Sequence, residues 1–287
     1  MSEIDGHTQL FGLFAHPAAH SKSPMMHNLS FEKRGINARY LAFDVTQETL
    51  PAAIEGLRAL HMGGVNLSMP LKEAVIPLLD HMDPAAKLVG AVNTIVNRDG
   101  ELTGYTTDGA GILASLPADL DLKKTRALIF GAGGAAKSAA IALALAGVEH
   151  LTIVNRHVDN GSRGAQLRDL LRYETSAKVD LLSMGETTSV RCAVADAKLI
   201  INATSMGMAP NTAMCPVPDA SWLKPKQIVY DMVYNPLDTK LLQVAAAAGV
   251  QQRIDGLQLL AMQGAAAFKL WTNQEMPLAD VRTALNQ

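Results

Sequence analysis

The sequence predicts an α/β protein in two domains, and three observations carry that reading. Short β-branched runs alternate with helical stretches along the whole chain, the rhythm of folds built on parallel sheets. After Asp108 the texture changes to a regular succession of strand and helix. Within that second part, a glycine cluster stands between an apolar run and a long alanine-rich stretch, as it does where a doubly wound sheet begins. The boundaries expected are 1–108 for a first α/β domain and 109–255 for a doubly wound one. Residues 256–287 are too few for a domain and must dock on one of the two.

In the first part, residues 9–14, 39–43 and 64–68 read as strands, and 24–34, 46–60 and 72–80 as helices. Residues 91–97 and 101–106 flank Arg98-Asp99-Gly100, a hairpin turn signal. In the second part the strands are 125–130, 151–154, 199–202, 228–231 and 252–254, with a helix ending near Leu145. Residues 257–271 and 278–285 close the chain as two helices.

Composition excludes several functional classes. Of 287 residues, 48% are hydrophobic and 18% charged, so a packed core rather than disorder is expected. The formal net charge is −2 and the aromatic fraction 5%. Neither a basic field nor a stacking surface is present, so nucleic acid is not an expected partner. Cys192 and Cys215 form no CxxC pair, and a reduced cytoplasmic chain is the reading. The start, Met1-Ser2-Glu3-Ile4-Asp5, lacks the basic and apolar runs of a signal peptide. The longest apolar stretch, residues 139–148, is too short to span a bilayer, so no membrane partner is expected.

The strongest local signal is Gly131-Ala132-Gly133-Gly134-Ala135-Ala136-Lys137, which fits G-x-G-x-x-G/A after a strand and at the start of a helix. Gly131 permits the tight turn, Gly133 lets backbone N–H groups approach a pyrophosphate, and Gly134 and Ala135 open the helix whose N-terminus attracts the anion. A dinucleotide, NAD or NADP, is the ligand this pattern suits. The strand after the helix ends at Asn155-Arg156-His157, where an acid would normally bind the ribose diol of NAD. Arg156 suits the 2′-phosphate of NADP, whereas Asp159 just beyond would repel it. Solvated loop charges are the plain alternative for both.

His16 and His20 have i, i+4 spacing, with His27 nearby, but Pro17 and Pro24 break the helix that a metal pair would need. No metal is expected. Lys72, in Asn66-Leu67-Ser68-Met69-Pro70-Leu71-Lys72, and Asp108, in Thr106-Thr107-Asp108-Gly109, are the ionisable residues with suggestive neighbourhoods. By spacing alone they read as a helix-start lysine and an N-cap.

The motifs taken together resemble those of the shikimate dehydrogenases, and more closely the quinate/shikimate dehydrogenase branch. They run from His20-Ser21-Lys22-Ser23-Pro24 through the Lys72 motif, Gly90-Ala91-Val92-Asn93-Thr94 and the Asp108 motif. Asn202-Ala203-Thr204-Ser205-Met206-Gly207, Tyr230-Asp231-Met232-Val233-Tyr234-Asn235-Pro236, Asp255-Gly256-Leu257 and Gln263-Gly264-Ala265 follow. The resemblance covers essentially the whole chain. It implies an N-terminal α/β substrate domain, a Rossmann-type doubly wound dinucleotide-binding domain, and C-terminal helices that return to the first domain. It implies a catalytic pair, Lys72 and Asp108, beside the hydroxyl that is oxidised. Ser21 and Ser23 would bind the substrate carboxylate, Asn93 and Gln263 the ring hydroxyls, and Ser68 and Tyr234 would complete the pocket. Thr204, Met232 and Gly256 would lie along the nicotinamide.

The implied reaction moves hydride between NAD(P) and a ring hydroxyl of shikimate or quinate. The chain departs from the family at Ala15-His16-Pro17, and Asn155-Arg156 lacks the following Thr and closely spaced second Arg of strict NADP enzymes; the next arginine is Arg163. Use of NAD, in preference to NADP, is therefore the expectation. Two other readings compete. One is a dinucleotide-sensing regulator without turnover, which retention of both Lys72 and Asp108 disfavours. The other is a folate dehydrogenase of similar layout, which the paired serines disfavour. The expected partners are a small-molecule substrate and, at most, a second copy of the chain in a homodimer.

Overall fold

The computed structural model describes residues 4–68 and 70–285. Met69 of the Lys72 motif and Met1, Ser2 and Glu3 of the N-terminal reading lie outside the described residues. The chain forms two compact units, one of Met1–Gly111 with Ala261–Gln287, the other of Ile112–Leu260.

The first unit is built on β1 (Gln9–Ala15), α1 (Ser23–Arg34), β2 (Ala38–Asp44), α2 (Leu50–Ala59) and β3 (Gly64–Leu67). There follow α3 (Leu71–Ala74), β4 (His81–Met82), α4 (Pro84–Val89), β5 (Thr94–Arg98), β6 (Glu101–Tyr105) and the start of α5 (Asp108–Ser115). The strand order is β2-β1-β3-β5-β6-β4. It is a mixed sheet: β1 pairs in parallel with β2 and β3, while β5 is antiparallel to β3 and β6. The β5–β6 turn has Asp99 at φ 53° and Gly100 at φ 92°. Positive φ at both central residues matches the twist of the flanking strands, which is why Asp-Gly closes this hairpin. Phe14, Leu50, Ile54, Leu57, Val65 and Ile95 belong to the core between sheet and helices.

Two helices are shorter than the hydrophobic pattern predicts. The helix expected over 46–60 starts at Leu50, because Thr46 and Thr49 bond each other in a preceding turn. The helix expected over 72–80 stops at Ala74 and gives way to a 3-10 turn, Ile76–Leu78. Pro77 explains the break, since it lacks an N–H and its ring collides with the carbonyl one turn back. The chain then makes β4 and α4, which sequence reasoning missed. Asp83 caps α4 by accepting from the N–H groups of Ala85 and Ala86.

The second unit holds β7 (Arg126–Phe130), α6 (Gly134–Leu145), β8 (His150–Asn155), α7 (Arg163–Glu174), β9 (Lys178–Ser183) and α8 (Thr187–Asp196). β10 (Leu199–Asn202), β11 (Ile228–Asp231), α9 (Lys240–Ala247) and β12 (Gln252–Ile254) complete it. The order is β12-β11-β10-β7-β8-β9, with all neighbours parallel. The chain reverses direction across the sheet between β7 and β10. Ligands of open parallel sheets bind outside the carboxyl ends of the strands at such a switch point. The strand β9 was not expected. It lies at the sheet edge and is only partly buried, so it carries no continuous apolar run.

The two last helices, α10 (Gly256–Thr272) and α11 (Leu278–Leu285), return the chain to the first unit. Trp271 Nε1 donates to the Ile95 carbonyl at 3.0 Å, and its ring packs 5.1 Å from that of Phe11. Lys22 Nζ reaches the Leu285 carbonyl at 3.0 Å, and Arg34 Nε the Glu275 carbonyl at 2.7 Å. The fold is thus a two-part α/β architecture whose second sheet is doubly wound.

Candidate active site

In the first unit, Lys72 stands in α3, and Asp108 is the first residue of α5, one position past the N-cap its sequence suggests, with its carboxylate bonded to Lys72 and Asn93. The fold brings Lys72 Nζ to 2.7 Å from Asp108 Oδ2. Both side chains are partly exposed, at 30% and 20%. The second carboxylate oxygen, Oδ1, accepts from Asn93 Nδ2 at 2.7 Å. Asn93 is 3% exposed. Its own oxygen accepts from the N–H of Thr107 at 2.7 Å and the hydroxyl of Thr94 at 3.2 Å. The Asn93 amide cannot turn over without breaking these bonds, so it presents N–H to Asp108 and to Gln263 Oε1, 3.5 Å away. A lysine from α3, an aspartate from α5, an asparagine just before β5 and a glutamine from α10 are thereby brought together. An ammonium fixed by a carboxylate, itself fixed by a buried amide, can deliver or receive a proton at one defined point.

The serines stand at the start of α1. Ser23 is the first residue of α1, and its N–H donates to Ser21 Oγ at 3.2 Å. The N-cap residue Lys22 makes no side-chain cap bond, and the positive end of the helix dipole lies at the serines, where an anion is favoured. Ser68 follows β3, with its N–H bonded to the Phe14 carbonyl at 3.1 Å.

Behind Asn93 lies a buried polar layer that sequence reasoning missed. Tyr40 donates to Asn66 Oδ1 at 2.8 Å, and Asn66 Nδ2 donates to Thr94 Oγ1 at 3.0 Å. Thr107, 2% exposed, bridges back to Asn93. Asn66, Thr94 and Thr107 belong to the motifs quoted above, whereas nothing around Tyr40 marks it. Burial drives the Tyr40 phenol well above its usual pKa. His27 stacks on Tyr40 at 4.5 Å, fully buried, with no hydrogen-bond partner on either ring nitrogen. Burial lowers its imidazole to about 3, so the ring is neutral near pH 7.

In the second unit, the glycine motif follows β7 as expected. Gly131 has φ 108°, a conformation only glycine adopts at little cost, and the chain turns there into α6. A Cβ at Gly133 or Gly134 would meet open space. The N-cap of α6, Gly133, makes no side-chain hydrogen bond, and Ala136 is buried against the sheet. This exposed helix start, without a side chain above it, fits a pyrophosphate. Asn155 ends β8 and donates to the His157 carbonyl at 3.0 Å, and Arg156 and Asp159 are exposed beyond it. Thr204 follows β10, Met232 follows β11, and Gly256 opens α10. Tyr234, 50% exposed, lies in the loop after β11. Among the described residues, no group of three His, Cys, Asp or Glu side chains could hold a metal ion.

Two family models match the chain. The shikimate dehydrogenase substrate binding domain matches residues 13–95, and the shikimate 5′-dehydrogenase C-terminal domain residues 256–285. A shikimate dehydrogenase (NADP(+)) of Streptococcus pyogenes serotype M28 is 43% identical over 289 residues, covering 99% of each chain. The chain belongs to the shikimate dehydrogenase family. The solved shikimate 5-dehydrogenase of Listeria monocytogenes, in complex with shikimate and NAD, superposes with a TM-score of 0.94 at 40% identity, covering 99% of each chain. A quinate dehydrogenase of Corynebacterium glutamicum in complex with NAD superposes at 0.83 with 30% identity, covering 97% of this chain and 98% of that one. As a shikimate dehydrogenase family member the protein is an oxidoreductase with a substrate domain and a Rossmann-type dinucleotide domain. The non-catalytic reading finds no support among these relatives.

Proposed function

We propose that the protein interconverts a ring hydroxyl of shikimate or quinate and the corresponding ketone, with NAD(P) as hydride carrier. The observation that carries the proposal is the Lys72–Asp108 pair at 2.7 Å, held by Asn93. When bound, the nicotinamide supplies the hydride chemistry. The protein supplies position and the proton. In ketone reduction, Lys72 donates a proton to the oxygen and its charge stabilises the developing alkoxide. In alcohol oxidation the same nitrogen receives the hydroxyl proton. Asp108 and Asn93 hold Lys72 in place in both directions. Ser21 and Ser23 at the start of α1 bind the carboxylate, while Asn93 and Gln263 select the ring hydroxyls, with Ser68 and Tyr234 as further substrate contacts. Residues 1–108 with 256–287 serve as the substrate domain and 109–255 as the dinucleotide domain.

The dinucleotide is held by Gly131, Gly133, Gly134 and Ala135 at the pyrophosphate, by Asn155, Arg156 and Asp159 at the adenosine end, and by Thr204, Met232 and Gly256 at the nicotinamide. We read NAD as the preferred form. Asp159 opposes a 2′-phosphate, and Arg156 can lie flat on an adenine as readily as it pairs with phosphate. The Listeria relative holding NAD supports this, while the streptococcal relative's name carries NADP(+). No helix among the described residues is long and apolar enough to cross a membrane. We read the protein as a cytoplasmic enzyme that can pair as a homodimer.

Initial rates over a grid of shikimate and quinate with NAD and NADP test the proposal. Turnover in at least one cell, highest with NAD, is expected. Unchanged absorbance at 340 nm in all four cells would overturn it.

A further inference from the structure

One buried charge in the second unit has no part in that reaction. Asn202 at the end of β10 lies opposite Asp231 at the end of β11, and both are fully buried. Asp231 Oδ1 accepts from Asn202 Nδ2 at 2.9 Å and from the N–H of Val233 at 3.0 Å. Its Oδ2 accepts from the Thr239 hydroxyl at 2.6 Å. All three partners donate, which is the surrounding an ionised carboxylate requires. Burial raises the Asp231 pKa and these bonds oppose that rise.

The carboxylate sets the conformation of two segments. It fixes which way the Asn202 amide faces, so that Asn202 Oδ1 accepts from the N–H of Thr204 at 3.1 Å and from its hydroxyl at 2.6 Å. Asn202 Nδ2 also reaches the Met206 carbonyl at 3.1 Å, and the N–H of Met206 closes the turn on Thr204 Oγ1 at 3.1 Å. On the β11 side, the bond to Val233 N–H fixes the chain just past Met232. Both segments abut glycines of the dinucleotide reading. A Cβ on Gly131 would lie 3.1 Å from the Ala203 carbonyl oxygen and from Thr204 Cγ2. A Cβ on Gly256 would lie 2.5 Å from the Met232 carbonyl oxygen.

The sheet order says which half of a dinucleotide these segments meet. The adenosine half of a dinucleotide lies over the strand that follows the glycine helix, here β8. The pyrophosphate sits at α6, and the other half extends across the switch point over β10 and β11. We propose that Asp231 is a positioning residue for the nicotinamide half, acting through Asn202 on Thr204 and through Val233 on Met232. Exchanging the carboxylate for an apolar side chain would leave three buried donors without an acceptor and release the two segments. The inference rests on the dinucleotide reading above.

The test compares ligands with and without nicotinamide. Calorimetry on the full chain measures affinity for NAD and for ADP-ribose, or for NADP and 2′-phospho-ADP-ribose if the wild type prefers NADP. Asp231→Ala removes both acceptor oxygens and should weaken the dinucleotide at least about tenfold, with ADP-ribose within about twofold. Asp231→Asn keeps the volume and loses the charge, and should weaken the dinucleotide at least about threefold, again sparing ADP-ribose. Should Asp231→Ala not fold, Asp231→Asn decides. Equal weakening of both ligands would mean a general structural role and overturn the proposal, as would a folded Asp231→Asn protein that binds both like wild type. A wild type that binds no dinucleotide would instead overturn the functional reading, and this inference with it.

Discussion

His27 makes stability in the first unit depend on pH in a way that can be isolated. Its ring is fully buried against Tyr40, and neither nitrogen has a partner. The folded imidazole therefore titrates at about 3, against about 6.5 in the unfolded chain. A depressed folded pKa stabilises the fold above the unfolded value, and that stability is lost as pH falls below it. Between pH 6.5 and 3 the unfolded chain holds one more proton at this site, so the slope approaches about 1.4 kcal/mol per pH unit. From pH 7 to pH 5 the loss is about 2 kcal/mol. His27→Leu removes the titrating group and leaves no buried nitrogen unsatisfied. Urea unfolding of both proteins at pH 7, 6 and 5, followed by Trp271 fluorescence in a Trp222→Phe background, measures the difference. Trp271 lies 5.2 Å from His27 and reports this unit. The other titrating groups are common to both proteins and cancel. The wild type should lose about 2 kcal/mol more than His27→Leu between pH 7 and 5. Equal losses would refute the argument that burial keeps this histidine neutral.

Three further outcomes follow from the site. Lys72→Ala should lower kcat by about 10²- to 10⁴-fold with a much smaller change in KM, and Asp108→Asn should also be severe; stopped assays with either substrate measure both. Ser21→Ala and Ser23→Ala should raise substrate KM by about ten- to a hundredfold each, from loss of a charge-assisted bond, with dinucleotide affinity unchanged by calorimetry. Asp159→Ala should raise the NADP/NAD ratio of kcat/KM, and Arg156→Ala should hurt NADP more than NAD. A wild type with strong NADP preference that Asp159→Ala leaves unmoved would overturn the cofactor reading.

Local patterns were enough for the elements that depend on local physics. β10 and β11 are nearly continuous β-forming runs, and their bounds follow from the sequence. The glycine motif specifies a turn, an uncovered helix start and a close helix–sheet contact with three small residues, because each needs the absence of a side chain. The Asp-Gly turn likewise specifies its hairpin. Where local signals conflicted, structure decided: Pro77 cut a helix that apolar spacing favoured, and β9 escaped notice because an edge strand need not be apolar.

The site depended on contacts that no local pattern contains. Lys72 and Asp108 are 36 positions apart, and only the packing of α3 near α5 brings them to 2.7 Å. Family motifs singled out both residues, but the orientation of Asn93 that holds Asp108 comes from Thr94 and Thr107. Tyr40 reads as an ordinary strand residue and His27 as one of three neighbouring histidines, and only the tertiary fold buries the two together. Asp231 and Asn202 lie 29 positions apart. A carboxylate in a strand looks like a surface residue until the sheet places it between parallel neighbours. Hydrophobic periodicity records which faces are buried, whereas the partners of buried polar groups are long-range and are chosen only when the sheets close.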